Sequence, residues 1–266
     1  MTKEKPALLL ERDGPVAVII INDAPMNRLG LAFIDALEQV IPLLAQDGGV
    51  RAIVIRGAGE EHFSVGMNLK QLGEGIARMG GIDALLDQRL RVLAMIENLE
   101  KPVIAALCGY CLGGGLELPL ACHFRLAAAE GTQIGLPELD IGTVPAWGGT
   151  ARLARCVGRE QALDIILRAR KISGARALEI GLVQEVWPNA VLQKKALALA
   201  HELAAMPPYS VAGVLRCVVG AGQASLEEAL AVERAAVHQV FAGKHQAEGM
   251  RAFLEKRKPD FSGDPD

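Results

Sequence analysis

Short apolar runs alternate with amphipathic stretches over the first two thirds of the chain. "VAVIIIN" (Val16 to Asn22), "AIVIRG" (Ala52 to Gly57) and "PVIAALCG" (Pro102 to Gly109) are short, rich in β-branched or small apolar residues, and closed by Gly or Asn. Runs that are apolar at consecutive positions bury both faces, as strands do in a sheet covered by helices. Between the first two runs, Leu31, Ile34, Leu37, Ile41 and Leu44 recur at helical spacing, with Asp35, Glu38 and Gln39 facing away. Pro42 predicts a kink or an end to that helix. A second helix is expected from Ile82 to Leu99, after "GEGIARMGG" (Gly73 to Gly81), whose glycines predict a mobile loop. The order strand, helix, strand, helix, strand predicts an α/β fold with parallel pairings.

From Arg159 onward the pattern changes. "REQALDIILRARKISGARALEIGLV", "KKALALAHELAAM" and "SLEEALAVERAAVHQVFAG" are rich in Ala, Leu and Glu at helical spacing, and "MPPYS" (Met206 to Ser210) separates two of them. Ser225 followed by Glu228 has the form of a capping box. An α/β core with a helical C-terminal part follows, and so many Ala and Leu positions suit packing on a partner subunit as well as on the chain's own core. Composition narrows the function. The 266 residues are 51% apolar and 22% charged with net charge −3, enough for a good core but with no basic field for nucleic acid. No apolar run approaches the ~18 residues of a membrane span. The start, "MTKEKPALLLERDG", interrupts its apolar run with charges and reads as neither a secretory signal nor an anchor. Five cysteines without paired spacing suggest reduced thiols in a cytoplasmic protein. Cys108 and Cys111 form a C-x-x-C, but no second pair at metal spacing accompanies them, so no metal is expected.

Three places carry candidate chemistry. In "GYCLGGGLELPL" (Gly109 to Leu120), Gly113, Gly114 and Gly115 expose backbone N–H groups beside Glu117, a carboxylate among apolar residues. Such amides suit a phosphate or a developing oxyanion, especially where a helix begins. A tight turn between a strand and a helix explains the glycines equally well. No Gly-Lys-Ser/Thr or G-x-G-x-x-G spacing supports phosphate. Leu116, Leu118 and Leu120 alternate like a strand, while Pro119 is compatible with a helix start, so the segment's form stays open. In "IGLPELDIGTVPAWGGTARL" (Ile134 to Leu153), Glu138 is a second carboxylate in apolar company. Two carboxylates brought together share a proton and offer an acid beside a base; apart, each is an ordinary helix-start charge. In "EEHFSVGMNLKQL" (Glu60 to Leu72), the chain leaves the carboxyl end of a predicted strand, where open α/β sheets bind ligands. His62 and Ser64 there read either as a nucleophile with its base or as surface polarity.

Taken together these segments resemble the enoyl-CoA hydratase/isomerase, or crotonase, superfamily. "HFSVGMNL" looks like the family's F-[SC]-A-G-A-D-L, "GYCLGGGLEL" resembles G-x-x-x-G-G-G-x-E-L, and "GLPELDIGTVPAWGGTARL" is similar to G-x-P-E-x-x-x-G-x-x-P-x-x-G-G-T-x-R-L. The likeness extends to "KISGARALEIGLVQEV" and "EGMRAFLEKRKPDF". The resemblance implies a crotonase fold, with a spiral of ββα units over residues 1–200 and C-terminal helices over 201–266 that mediate trimers or hexamers. It implies reversible hydration of a trans-2-enoyl-CoA, in fatty acid metabolism, without a cofactor besides the CoA of the substrate. By motif position, the Met67 and Gly114 amides form an oxyanion hole, Glu117 is the base on water, and Glu138 is the acid for Cα. Met67, Asn68, Leu69, Lys70 and Gly113 match segments lining the CoA site. Arg28, Lys70, Lys256, Arg257 and Lys258 are candidate phosphate contacts, and Pro145, Ala146 and Trp147 candidate acyl-pocket residues. Val65, Met67, Asn68, Ala146 and Trp147 depart from the residues usual in the family. The alternatives on this scaffold are Δ3,Δ2-isomerisation or hydration of a branched or carboxylated enoyl-CoA. Further off stand a Clp-type serine peptidase, which needs a Ser-His-Asp set, and an RNA-binding relative, which the acidic charge disfavours.

Overall fold

The computed structural model describes residues 5–222 and 224–263. Its main sheet contains β1 (Leu8–Asp13), β2 (Val16–Ile21), β3 (Ala52–Gly57), β4 (Val103–Leu107), β6 (Phe124–Ala128) and β8 (Glu185–Trp187), neighbours in that order. β5 (Tyr110–Leu112) and β7 (Gln133–Gly135) form a second, two-stranded sheet. The three apolar runs are thus the central strands, and every pairing from β2 to β8 is parallel. Among the described strands of this sheet β1 alone, which the sequence reading did not isolate because charges interrupt it, pairs antiparallel, on the outer edge of β2.

Alternation along the strands divides the core in two. Ile19, Ile21, Ile53, Ile55, Ala105 and Leu107 face α1 (Leu31–Gln46) and α3 (Ile82–Glu97). Val18, Ile20, Val54, Ile104 and Ala106 face Leu192, Ala196, Ala200 and Ala204, which repeat every four residues on α8 (Asn189–Ala204). The sheet is covered on both sides, as runs without polar alternation require.

Each central strand leads to a short second-layer segment and then to a helix. β3 leads to Ser64 and on to α2 (Leu72–Met79) and α3; β4 leads to β5 and α4 (Gly114–Leu120); β6 leads to β7 and, through a 3-10 turn at Glu138–Ile141, to α5 (Gly149–Val157). The second-layer segments ladder together: Ser64 bridges Cys111, β5 pairs β7, and Ile134 bridges Ile172. This repetition stacks the three chemistry-bearing stretches on one another. Beyond it lie α6 (Arg159–Leu167), α7 (Gly174–Glu179), α9 (Pro208–Ala221), α10 (Leu226–Ala242) and α11 (Lys244–Leu254). The Ser225–Glu228 capping box at the start of α10 forms in both directions. Among the described residues no single helix is long and apolar enough to cross a membrane.

Two local expectations are corrected. The stretch Gly73 to Gly81 is not a loop: α2 occupies most of it, with Gly75 packed between Leu31 and Leu85 and Arg78 paired with Asp35 of α1. Tertiary packing overrides the glycines' poor propensity, and only Gly80 and Gly81, at φ 81° and 152°, behave as a stop. Pro42 does not end α1, which runs on to Gln46 because Ile41 and Leu44 on either side of it remain buried.

The stacking of layers is tightest at Gly115, where an added Cβ would lie 2.5 Å from the Ser64 carbonyl oxygen. Gly115→Ala should therefore lower stability by about 1–3 kcal/mol. Gly73→Ala, in an α2 position with open space around it, should leave stability unchanged or raise it by up to ~1 kcal/mol. Urea titrations of both variants check the contrast, and equal effects would contradict this packing.

Candidate active site

The open question about "GGGLELPL" is resolved as a helix. Gly113, at φ 56°, turns the chain out of β5, and its carbonyl accepts from the amides of Leu116 and Glu117. Every residue of α4 is buried. Pro119 falls in the second turn and removes a donor that would have reached the Gly115 carbonyl. That carbonyl accepts instead from the Cys111 thiol at 3.1 Å. The C-x-x-C cysteines are therefore packing residues, and burial pushes the Cys108 thiol up to about 11 and Cys111 well above its ordinary value.

Glu117 is 2% exposed. Its Oε1 accepts from the Trp147 amide at 2.7 Å and the Gly149 amide at 2.9 Å, both at the entrance to α5. Oε2 accepts from no protein donor among the described residues. Arg152 fixes the clamp: its Nη1 donates to the Trp147 carbonyl, and its Nε and Nη2 hold Glu97. Burial pushes the Glu117 carboxyl up from 4.5 to about 7, against the two amides and Arg152, with the nearby Glu138 charge adding to the rise. Glu138 is half-buried in its 3-10 turn, and its Oε2 is buried without a donor. Its Oε1 lies against Gly113, 3.0 Å from where a Cβ there would stand. Burial raises this carboxyl too. The fold thus brings together two carboxylates separated in sequence, each with an oxygen free of protein donors.

Beside them are two free backbone amides. The Leu29–Met67 bridge uses the Leu29 amide on the Gly66 carbonyl and the Asn68 amide on the Leu29 carbonyl, which leaves the Met67 amide out of the ladder. Gly114 opens α4, so its amide has no intrahelical acceptor. Among the described residues neither amide donates to the protein. The two stretches touch, since a Cβ on Gly66 would stand 3.3 Å from the Gly114 nitrogen. The Trp147 ring covers Gly114 so closely that a Cβ there would meet it at 2.8 Å. Two unused amides on touching stretches, one of them at a helix start, are of the kind that suits an anion.

The remaining candidates are placed as follows. Asn68 is half-buried, and Leu69 and Lys70 are exposed in a 3-10 turn. Arg28, next to the Leu29 bridge, is held by Asp23 at 2.6 and 3.0 Å. Pro145 and Trp147 are buried, and Ala146 is half-buried with an amide that donates to no acceptor among the described residues. No hydrogen bond or ion pair joins Lys256, Arg257 or Lys258 to the site; Arg257 holds Glu248 and Glu255. Ser64 and His62 do not bond each other. The Ser64 Oγ accepts from the Gly66 amide, and the His62 ring accepts from the Tyr110 amide and stacks on its ring. Both shape the loop. The sequence reading missed the Trp147–Gly149 amide clamp, Arg152 and a buried arginine, Arg89. Arg89 stands in a helix at spacing that also serves a surface charge, and nothing in the sequence marks it as buried.

The elevated Glu117 carboxyl has a consequence for stability. Its folded value lies above the unfolded one, so the fold holds this proton more tightly than the open chain does. The stabilisation is present below 4.5 and is lost as pH rises through about 7. Ionising Glu117 thus costs roughly 3 kcal/mol in the fold. Glu117→Gln keeps an oxygen for both amides, and its stability relative to the wild type should improve by about that amount between pH 4.5 and 8. Denaturant titrations at the two pH values check this; an equal difference at both would place the carboxyl at its ordinary value.

Comparison with known proteins identifies the family and the fold. The Enoyl-CoA hydratase/isomerase family profile matches residues 11–264. A probable enoyl-CoA hydratase of Bacillus subtilis is 38% identical over 97% of this chain and 99% of its own. A short-chain-enoyl-CoA hydratase of Clostridium acetobutylicum is 34% identical over 94% and 95%. The crystal structure of an enoyl-CoA hydratase from Bacillus anthracis superposes with a TM-score of 0.89 at 33% identity, covering 97% of this chain and all of that one. The chain has the crotonase fold of these structures and belongs to the enoyl-CoA hydratase/isomerase family.

Proposed function

We propose that this protein is an enoyl-CoA hydratase, adding water reversibly across the 2,3 double bond of a trans-2-enoyl-CoA. The observation that carries this reading is the pair of donor-free carboxylate oxygens, on Glu117 and Glu138, beside the unused amides of Met67 and Gly114. The thioester oxygen sits between the amides, which draw charge toward it and leave Cβ electrophilic. Because charge on that oxygen grows toward the enolate, the amides favour the transition state over the substrate, by ~3 kcal/mol for each donor.

Water lies between the carboxylates, with the Ala146 amide as a further donor to it. In the addition, Glu117 takes a proton from the water as its oxygen bonds to Cβ, and Glu138 gives its proton to Cα. The reverse reaction starts from the complementary state, with the proton on Glu117. A Glu117 carboxyl near 7 can take a proton in one direction and give it back in the other near neutrality, which a reversible addition needs. Met67 to Lys70, Gly113 and Arg28 border the CoA moiety, and Pro145, Ala146 and Trp147 line the acyl side. No metal or redox group takes part in this scheme. The exposed apolar side chains Val214, Val218, Val237, Phe241 and Phe253 on α9 to α11 support assembly of copies through these helices, as a trimer or hexamer.

With crotonyl-CoA and a longer 2-enoyl-CoA, loss of enone-thioester absorbance should be fast for the wild type. Glu117→Gln and Glu138→Gln should each slow it by about a hundred- to ten-thousand-fold with folding intact. Turnover surviving either substitution would remove the two-carboxylate scheme; a wild type that instead shifts the double bond of 3-enoyl thioesters would make the protein an isomerase.

A further inference from the structure

Arg89, on α3, is 1% exposed, yet it forms no ion pair among the described residues. Its Nη1 donates to the Gln88 side chain and, at 3.3 Å, to the Leu85 carbonyl. Its Nε is buried without an acceptor, and Nη2 donates to no protein acceptor among the described residues. A guanidinium stays charged at any working pH, so this is a desolvated cation with one edge unmatched. The charges of Asp35 and Glu38 on neighbouring α1 act on the guanidinium through space, but neither forms a hydrogen bond with it among the described residues. Asp35 is held by Arg78 and Gln88, and Glu38 by Arg91 and Gln88.

The unmatched edge is the one that elsewhere in this chain grips carboxylates. Arg28 holds Asp23, Arg91 holds Glu38 and Arg152 holds Glu97, each through Nε together with Nη2. Its location ties Arg89 to the site. The guanidinium carbon lies 5.9 Å from the centroid of the Trp147 ring, and that ring packs on Gly114. Trp147 thus touches both Gly114 and the neighbourhood of Arg89, so an acyl group that starts at the Gly114 amide and follows the ring is led toward the guanidinium. A hydrocarbon tail would leave the cation desolvated and unmatched; a carboxylate would meet it with two charge-assisted hydrogen bonds.

We propose that Arg89 determines specificity by binding a carboxylate at the far end of the acyl group, so that the substrate class is the 2-enoyl thioester of a dicarboxylic acid. This rests on the hydratase reading for the reaction, but not for the binding. The test therefore has two arms. One compares kcat/KM for 2-enoyl-CoA substrates of five, six and eight carbons with and without the terminal carboxylate. The other compares, by calorimetry, binding of the saturated thioesters adipoyl-CoA and hexanoyl-CoA, which undergo no hydration. The wild type should favour the carboxylated member by tenfold to a hundredfold in both arms at the best chain length. The ratio should fall to about one in Arg89→Met and to an intermediate value in Arg89→Lys, which keeps charge but loses the fork. A wild-type ratio of one or below, or a ratio that the variants leave unchanged, overturns the proposal. A purely structural Arg89 would weaken both members equally and leave the ratio alone. Absence of hydration with the binding ratio intact would reject the hydratase reading and keep the carboxylate site. If Arg89→Met does not fold, the Arg89→Lys ratio decides.

Discussion

A carboxylate buried inside a short helix has to be held, and in this protein Glu117 is held by two backbone amides from a different part of the chain. The bonds from Trp147 and Gly149 to Oε1 join α4 to the start of α5. They direct one oxygen into the protein and leave the other free. The same burial that requires the clamp pushes the carboxyl up to about 7, into the range where it can both take and give a proton at neutral pH. Structure and chemistry therefore depend on the same desolvation. A carboxylate more open to water would be easier to hold and less useful as a base.

The glycines extend this argument to the two unused amides of Met67 and Gly114. Without side chains, Gly114 and Gly115 let α4 lie against the Ser64–Gly66 stretch and the Trp147 ring at distances no Cβ would tolerate. The Met67 amide is left out of its ladder and the Gly114 amide heads a helix. Both amides are held in place by the fold itself, and in the proposed hydration such preorganisation is what a charge that appears only during reaction requires. The repeated strand, second-layer segment and helix superimpose these pieces although they lie far apart in sequence.

Much of this was legible beforehand. The consecutive apolar residues of β2, β3 and β4 marked a doubly covered sheet, and the three glycine- and glutamate-bearing motifs are the stretches that the fold stacks on one another. Local pattern failed where tertiary contacts decide. The glycines of α2 read as a loop because the packing of Gly75 between Leu31 and Leu85 cannot be seen in a window of neighbours. Pro42 read as a break for the same reason. Spacing left "GGGLELPL" undecided because a thiol, Cys111, takes the carbonyl that Pro119 leaves without a donor. The clamp on Glu117 is made of main-chain atoms and carries no residue signature at all. Arg89 shows the converse: its residue type is plain, but its burial beside Trp147 emerges only from the fold.

The central claim is that the Met67 and Gly114 amides polarise a thioester carbonyl seated between them. Isotope-edited infrared spectra of crotonyl-CoA labelled at the carbonyl carbon, bound to the Glu138→Gln variant so that turnover is slow, test it most directly. The account predicts a carbonyl stretch shifted clearly to lower frequency than in water, and a smaller shift when Gly114→Ala pushes the helix start away from Trp147. A bound thioester with its carbonyl stretch unchanged from solution would contradict it.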